Sequence, residues 1–253
     1  MARTSEKRHW ERFWAGSPAL ADVYDTDGRI VRAMLGHCEP QRARILEVGA
    51  GTGRDSVDLA RRGAQVWVLD YSPQALRLIG SQPEGESLRR VGGDAFRLPF
   101  RDGSFDAIFH QGLLEHFRNP RDLLRENARV LRRGGILAVD VPQRWHYYTP
   151  LKHVLIAADR WFAGWETEYS IGELQALVRD VGLVPVQVYG AWCVPNLFYR
   201  VLRRALLGTG IRLPLQPPLP LLGPLLARVR QRLAETRLPL YTGMNIGCLA
   251  RKE

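Results

Sequence analysis

Three glycines at alternate positions, Gly49, Gly51 and Gly53, follow Glu47 in the stretch "ILEVGAGTGRDS" (45–56). Glycines at such a turn permit positive φ and let backbone approach a ligand closely. A glycine-rich turn after the first strand of a doubly wound sheet is where such folds hold nucleotides. A dinucleotide fingerprint would want its third glycine at 54, where the chain has Arg54. A diphosphate prefers the open, positive end of a helix, and Glu47 would repel it. A ligand with an amine or sulfonium suits that acid better. Read alone, the stretch also fits a tight turn that binds nothing.

Further groups capable of chemistry stand downstream. Asp70 ends the apolar run "QVWVLD" (65–70), where a carboxylate can accept both hydroxyls of a ribose; an acid there can equally serve the following helix N-terminus. In "GGDAF" (92–96), Asp94 can accept an exocyclic amino hydrogen while the Ala95 N–H donates to a ring nitrogen. His110, His116 and His146 are the candidates for moving a proton, and His116 is equally readable as a helix histidine bonded to a neighbour. Tyr147 and Tyr148 either line an aromatic pocket or pack.

The elements that must position these groups alternate along the chain. Strands are expected at 44–48, 65–70, 88–94, 105–111, 135–142, 183–190 and 241–252. Helices are expected at 54–63, 72–80 (Ser72 as N-cap, Pro73 at N1), 119–135 and 170–182, after two N-terminal ones at 6–15 and 28–38. Trp10, Phe13 and Trp14 share one side of the first. Short links between strands and helices imply right-handed crossovers and a mainly parallel sheet covered on both faces.

In order and spacing over roughly 42–142, the segments "ILEVGAGTGRDS", "VWVLDYSPQAL", "GGDAFRLPFRDGSFDAIFHQGLLEHF" and "NPRDLLRENARVLRRGGILAVDVP" resemble the class I S-adenosylmethionine-dependent methyltransferases. "GLVPVQVYG" extends the likeness to the sixth strand, and "LLEHF" (113–117) is similar to the signature of the small-molecule, quinone-type branch. The resemblance implies a Rossmann-like α/β fold: a doubly wound, seven-stranded, mainly parallel sheet with an antiparallel last strand and a helical insert between the last two strands. It implies S-adenosyl-L-methionine as cofactor and S-adenosyl-L-homocysteine as product. Glu47, Gly49, Ala50, Gly51 and Gly53 would surround the methionine moiety, Asp70 would hold the ribose with Tyr71 beside the adenosine, and Asp94, Ala95 and Phe96 would frame the adenine. His110, Gln111 and Gly112 would lie near the amino-acid portion and the methyl group. His116, His110 and His146 would be base candidates for an acceptor that must lose a proton. The implied division is a helical cap (1–40), a methyltransferase core (41–190), an insert (191–240) and the final strand (241–253).

Composition narrows the partners. All but three of the 36 basic residues of this 253-residue chain are arginine, and the formal net charge is +10. Residues 191–240 hold eight arginines against one acid, Glu235, so they carry +7 of it. "LFYRVLRRALL" (197–207) and "LLARVRQRL" (225–233) read as basic amphipathic helices. They are expected either to cap the site or to touch an anionic membrane through 197–233. Both readings favour a small, apolar acceptor such as a lipid, a quinone precursor or a natural-product intermediate; an acidic acceptor held by arginine stays open.

Nucleic acid is disfavoured as a partner: "HQGL" (110–113) stands where base amino-methylases carry an Asn/Asp-Pro-Pro-aromatic tetrad, and no cysteine lies between Cys38 and Cys193. Cys38, Cys193 and Cys248 show no metal-ligand spacing, so no metal is expected. The N-terminus lacks an apolar signal core, and the tract 213–227 is broken by five prolines. A cytoplasmic setting is expected, with membrane contact at most peripheral. The oligomeric state is left open. A methyltransferase-like protein that binds without turnover is the competing class, and a NAD-dependent dehydrogenase a weaker one.

Overall fold

The computed structural model describes residues 7–15, 28–161, 163–192, 195, 197–207, 209–215 and 223–253. Cys193, parts of the expected cap (1–6 and 16–27) and much of the proline-rich tract (216–222) lie outside them.

Seven strands form one sheet: β1 Arg44–Val48, β2 Gln65–Asp70, β3 Arg89–Gly92, β4 Phe105–Gln111, β5 Leu131–Pro142, β6 Leu183–Ala191 and β7 Asn245–Lys252. Their order is β3-β2-β1-β4-β5-β7-β6, parallel throughout except that β7 runs antiparallel to β5 and β6. The Rossmann-like sheet implied by the sequence is therefore the one observed. The central strands read as continuous apolar runs because both of their faces are covered. One face packs on α2 Arg29–Leu35, α3 Arg54–Arg61 and α4 Pro73–Gly80, through residues such as Ile30, Met34, Ile45, Val57, Val68, Ile79 and Phe109. The other packs on α5 Arg121–Val130 and α7 Ile171–Arg179, through Leu46, Ile108, Leu123, Leu124, Leu137, Leu174 and Val178. Each such buried side chain contributes on the order of 1.5–3 kcal/mol.

Local chemistry sets most boundaries. Ser72 accepts the Ala75 N–H at the start of α4, and Ser170 and Glu173 form a reciprocal capping box at the start of α7. The helix expected at 119–135 ends instead at Val130. Leu131 is fully buried beside Phe105 as the first residue of β5, and Lys252 Nζ, arriving on β7, donates to the Ala128 and Leu131 carbonyls at 2.6 and 2.7 Å. The third strand stops at Gly92, two residues before Asp94. The seventh starts at Asn245 rather than 241, because Pro239 opens a helical turn, α10 Pro239–Thr242, which closes with Gly243 N–H on the Pro239 carbonyl.

Helices outside the two layers are α1 Lys7–Ala15, α6 Thr149–Ala157, α8 Leu197–Leu207 and α9 Gly223–Ala234. The sequence pattern did not reveal α6. The insert between β6 and β7 is helical, as expected. Among the described residues no helix is long and apolar enough to cross a membrane.

Candidate functional site

The strand order reverses between β1 and β4, and in open α/β sheets the crevice outside the strand ends at that point is where ligands bind. A cavity of about 980 Å³ opens there, near the upper end of the range for small-molecule sites.

Strand parity aims the acids into it. Glu47 shares the face of β1 with Ile45, Asp70 the face of β2 with Val68, and Gln111 the face of β4 with Phe109. All three line the cavity, together with Asp55 from the first turn of α3. Glu47 is buried, and its carboxylate accepts the Ser56 hydroxyl at 2.5 Å. Burial pushes its pKa well above the carboxylate range; the Ser56 bond opposes that rise, while Asp55 and Asp70 add to it. Burial likewise raises Asp70, although its oxygens accept the N–H groups of Ser72 (2.8 Å) and Gly51 (3.2 Å).

The turn between β1 and α3 holds φ of +70°, +52° and +68° at Gly49, Gly51 and Gly53, the left-handed region that glycine adopts without strain. A Cβ at Gly49 would meet Leu113 Cδ1 at 2.8 Å. Gly49, Ala50 and Gly51 line the cavity. Gly53 does not; it caps α3 with its back against Ile79. Tyr71, Asp94, Ala95, Phe96, Gln111 and Gly112 complete the expected lining. Asp94 also accepts the Phe96 N–H at 2.9 Å, and Phe96 meets Phe117 edge-on, with ring centroids 4.8 Å apart.

The three histidines separate. His116 lines the cavity, in the short 3₁₀ turn Leu114–His116. Its ring meets Trp10 edge-on at 4.8 Å, and Nδ1 lies 3.4 Å from the Trp165 carbonyl. Burial lowers its pKa, opposed by Glu166 and by the Trp165 and Gly112 carbonyls. His110 does not reach the cavity. It occupies the opposite face of β4, fully buried with no polar partner at either ring nitrogen, and burial drives its pKa down to about 3. His146 lies outside the cavity as well, with Nδ1 accepting the Tyr148 N–H at 3.3 Å and its ring tilted on Tyr147.

Other contributors went unread as site residues in the sequence. Trp10 and Trp14 close the cavity from α1, and a Cβ at Gly51 would lie 3.1 Å from the Trp14 ring. Their shared helical side was the available signal. Arg29, on α2, supports the floor: its guanidinium binds Asp140 through two bonds of 2.8 Å, and with the Gln111 amide turned to the orientation that satisfies both its neighbours, the amide oxygen accepts from Arg29 at 2.5 Å and the amide nitrogen donates to Asp55 at 3.1 Å. No spacing rule could have joined residues so far apart in sequence. Among the described residues no group of His, Cys, Asp and Glu is set to hold a metal ion.

Four acids (Glu47, Asp55, Asp70 and Asp94) and one arginine (Arg54) line a cavity otherwise rich in aromatic and aliphatic surface. That set fits a cationic nucleoside with hydroxyls to donate and disfavours a diphosphate.

Comparison with known proteins agrees with this geometry. The family model described as "Methyltransferase domain" matches residues 46–139. A demethylmenaquinone methyltransferase of Tropheryma whipplei is 33% identical over 158 residues, covering 54% of this chain and 65% of that protein. A ubiquinone biosynthesis O-methyltransferase of Xanthomonas oryzae is 36% identical over 105 residues, 40% of this chain and 44% of that one. The chain spans 24% to 65% of the length of the curated relatives it matches. Among solved structures, a SAM-dependent methyltransferase of Thermotoga maritima superposes with a TM-score of 0.62 at 17% identity, over 98% of this chain and all of that one.

Proposed function

We propose that this chain, whose residues 46–139 match the methyltransferase-domain model and whose sheet has the order β3-β2-β1-β4-β5-β7-β6, is a class I S-adenosylmethionine-dependent enzyme that transfers a methyl group to a small apolar acceptor. The observation that carries the reading is the convergence of Glu47, Asp55 and Asp70 beside the alternate-glycine turn.

S-adenosylmethionine supplies a methyl group already activated by the positive charge on sulfur, which leaves the protein to bind, align and, for a hydroxyl acceptor, remove a proton. In this reading Glu47 holds the methionyl ammonium, and Gly49, Ala50 and Gly51 let backbone close around that portion. Gly53 sets the turn from behind. Asp70 receives the ribose hydroxyls, with Tyr71 beside it. Asp94, Ala95 and Phe96 frame the adenine, and Gln111 and Gly112 border the reacting end. Trp10 and Trp14 exclude water above it. His116 is the base of this proposal: it is neutral at pH 7, it faces the cavity, and a proton gained there is held toward the Trp165 and Gly112 carbonyls. His110 and His146 take no part.

The apolar lining and the quinone-related names of the two relatives support a ring-bearing, apolar acceptor. The proposal keeps the division into cap (1–40), core (41–190), insert (191–240) and final strand (241–253), with 197–233 touching an anionic membrane.

Calorimetric titration tests it. S-adenosylmethionine and S-adenosylhomocysteine should both bind, and Asp70→Ala should weaken both by about 1–3 kcal/mol. Absence of binding to the wild-type chain sinks the reading. Binding without methyl transfer to any quinol or lipid acceptor would leave a binding protein instead.

A further inference from the structure

α6, "TPLKHVLIA", is built inside out. Its buried side chain is Lys152, whose Nζ donates to Glu166 Oε2 at 2.7 Å and pairs with Glu168. The other Glu168 oxygen meets His153 Nε2 at 2.8 Å. Leu151 and Val154 face outward, Val154 at 63% exposure, continuing a surface begun by Trp145 (66%) and Tyr147 (62%) in the preceding loop. An amphipathic helix on a globular protein normally does the reverse. The ion pairs fix this orientation, since turning α6 over would leave buried carboxylates without their cation.

The face continues onto α8. Tyr147 stacks on Phe198 of α8, with centroids 6.5 Å apart and planes 12° from parallel. Phe198, at 78% exposure, is followed by exposed Val201 and Leu202, and α9 exposes Leu226, Val229 and Leu233. Of the exposed large apolar side chains among the described residues, all but Val184 and Val186 lie within 145–154 or 198–241. The segment holding most of them also holds +7 of the net charge of +10.

Charge and apolarity together select the occupant. A second copy of the chain would bring like charge against like. A nucleic acid would use the arginines and leave Leu151, Val154, Val201 and Leu202 in water. An anionic bilayer satisfies both, with guanidinium groups among the headgroups and aromatic and aliphatic side chains beneath them.

We propose that the Trp145–Val154 surface joins α8 and α9 in one docking face for an anionic lipid bilayer. This extends the membrane-contact reading of 197–233, on which it rests for its arginines, and is independent of the chemistry in the cavity.

Flotation with vesicles tests it, using phosphatidylcholine alone and phosphatidylcholine mixed with phosphatidylglycerol. Three forms of the 253-residue chain are compared: wild type, Trp145→Ser/Tyr147→Ser/Leu151→Ser/Val154→Ser, and Arg228→Gln/Arg230→Gln/Arg232→Gln. S-adenosylhomocysteine calorimetry on each reports the fold and the cavity separately. Wild type should float with the anionic vesicles only, and each variant should lose about tenfold or more in partitioning. Undiminished flotation of the four-serine variant overturns this inference and leaves the 197–233 reading standing. Failure of wild type to float overturns both. Tighter binding to a single-stranded oligonucleotide than to anionic vesicles, or a dimer abolished by the four serines, also overturns it.

Discussion

Glu47 is a carboxyl that the protein without ligand does not favour in its ionised form. Burial, with Asp55 and Asp70 nearby, raises its pKa, and the Ser56 hydroxyl offsets only part of that rise. The folded chain therefore holds this proton more firmly than the unfolded one. Its contribution to stability is full below the ordinary carboxylate range and is lost as pH rises toward the folded pKa. A bound cation reverses the preference by pairing with the ionised acid. Glu47→Gln should accordingly raise the thermal midpoint of the ligand-free protein at neutral pH, by a few degrees, and flatten its decline with rising pH. The same change should weaken S-adenosylmethionine binding by about tenfold or more. In the wild type, affinity should fall as pH is lowered and Glu47 takes up its proton. Calorimetric titrations and melting curves across pH check both halves; a Gln variant that melts lower yet binds as well would show that Glu47 is a structural acid. At His116 the sign is opposite in kind: burial keeps the ring neutral, so His116→Asn should reduce turnover on a hydroxyl acceptor about 10²–10⁴-fold while leaving S-adenosylhomocysteine affinity nearly unchanged.

At the scale of elements, α6 depends on its interior lysine. Lys152→Met leaves Glu166 and Glu168 buried without their cation, and should destabilise the chain by about 3–5 kcal/mol in urea unfolding. Leu151→Ser, on the exposed side of the same helix, should stay within about 0.5 kcal/mol. The contrast explains why α6 was illegible in the sequence. Periodicity assumes that apolar side chains turn inward, and here they turn outward over a charged anchor. β1, β2 and β4 were legible for the converse reason, since strands covered on both faces must be apolar throughout. The end of α5 was misplaced because its last carbonyls are satisfied by Lys252, more than 120 residues away. In the candidate site, Glu47, Asp70, Gly49 and Gly51 stand out in the sequence by type and spacing, and all four line the cavity. Trp10 and Trp14 were visible only as a helical stripe, and β4 parity turns His110 away from the cavity and into the core.

At the scale of the whole molecule, one buried knot joins elements from both ends of the chain to the cavity floor. Asp140 of β5 accepts from Arg29 of α2, from Tyr189 of β6 at 2.8 Å and from Asn245 of β7 at 3.1 Å. Arg29 extends the network to Gln111 and hence to Asp55, both of which line the cavity. Burial alone would lower the Arg29 pKa; the Asp140 carboxylate more than offsets it, so the cation persists inside the fold. The knot thus has two separable consequences, holding α2 to the sheet and orienting the Gln111 amide. Arg29→Met strands the Asp140 charge and should cost about 3–5 kcal/mol of stability. Replacing both partners, Arg29→Met with Asp140→Leu, removes the stranded charge and should recover a good part of that loss. It does not restore the donor to Gln111, so S-adenosylhomocysteine affinity should stay reduced in the double variant. Urea unfolding and calorimetry on the two single variants and the double variant decide the matter. Recovery of affinity together with stability would make the knot purely structural, whereas stability without affinity assigns Arg29 to positioning the site.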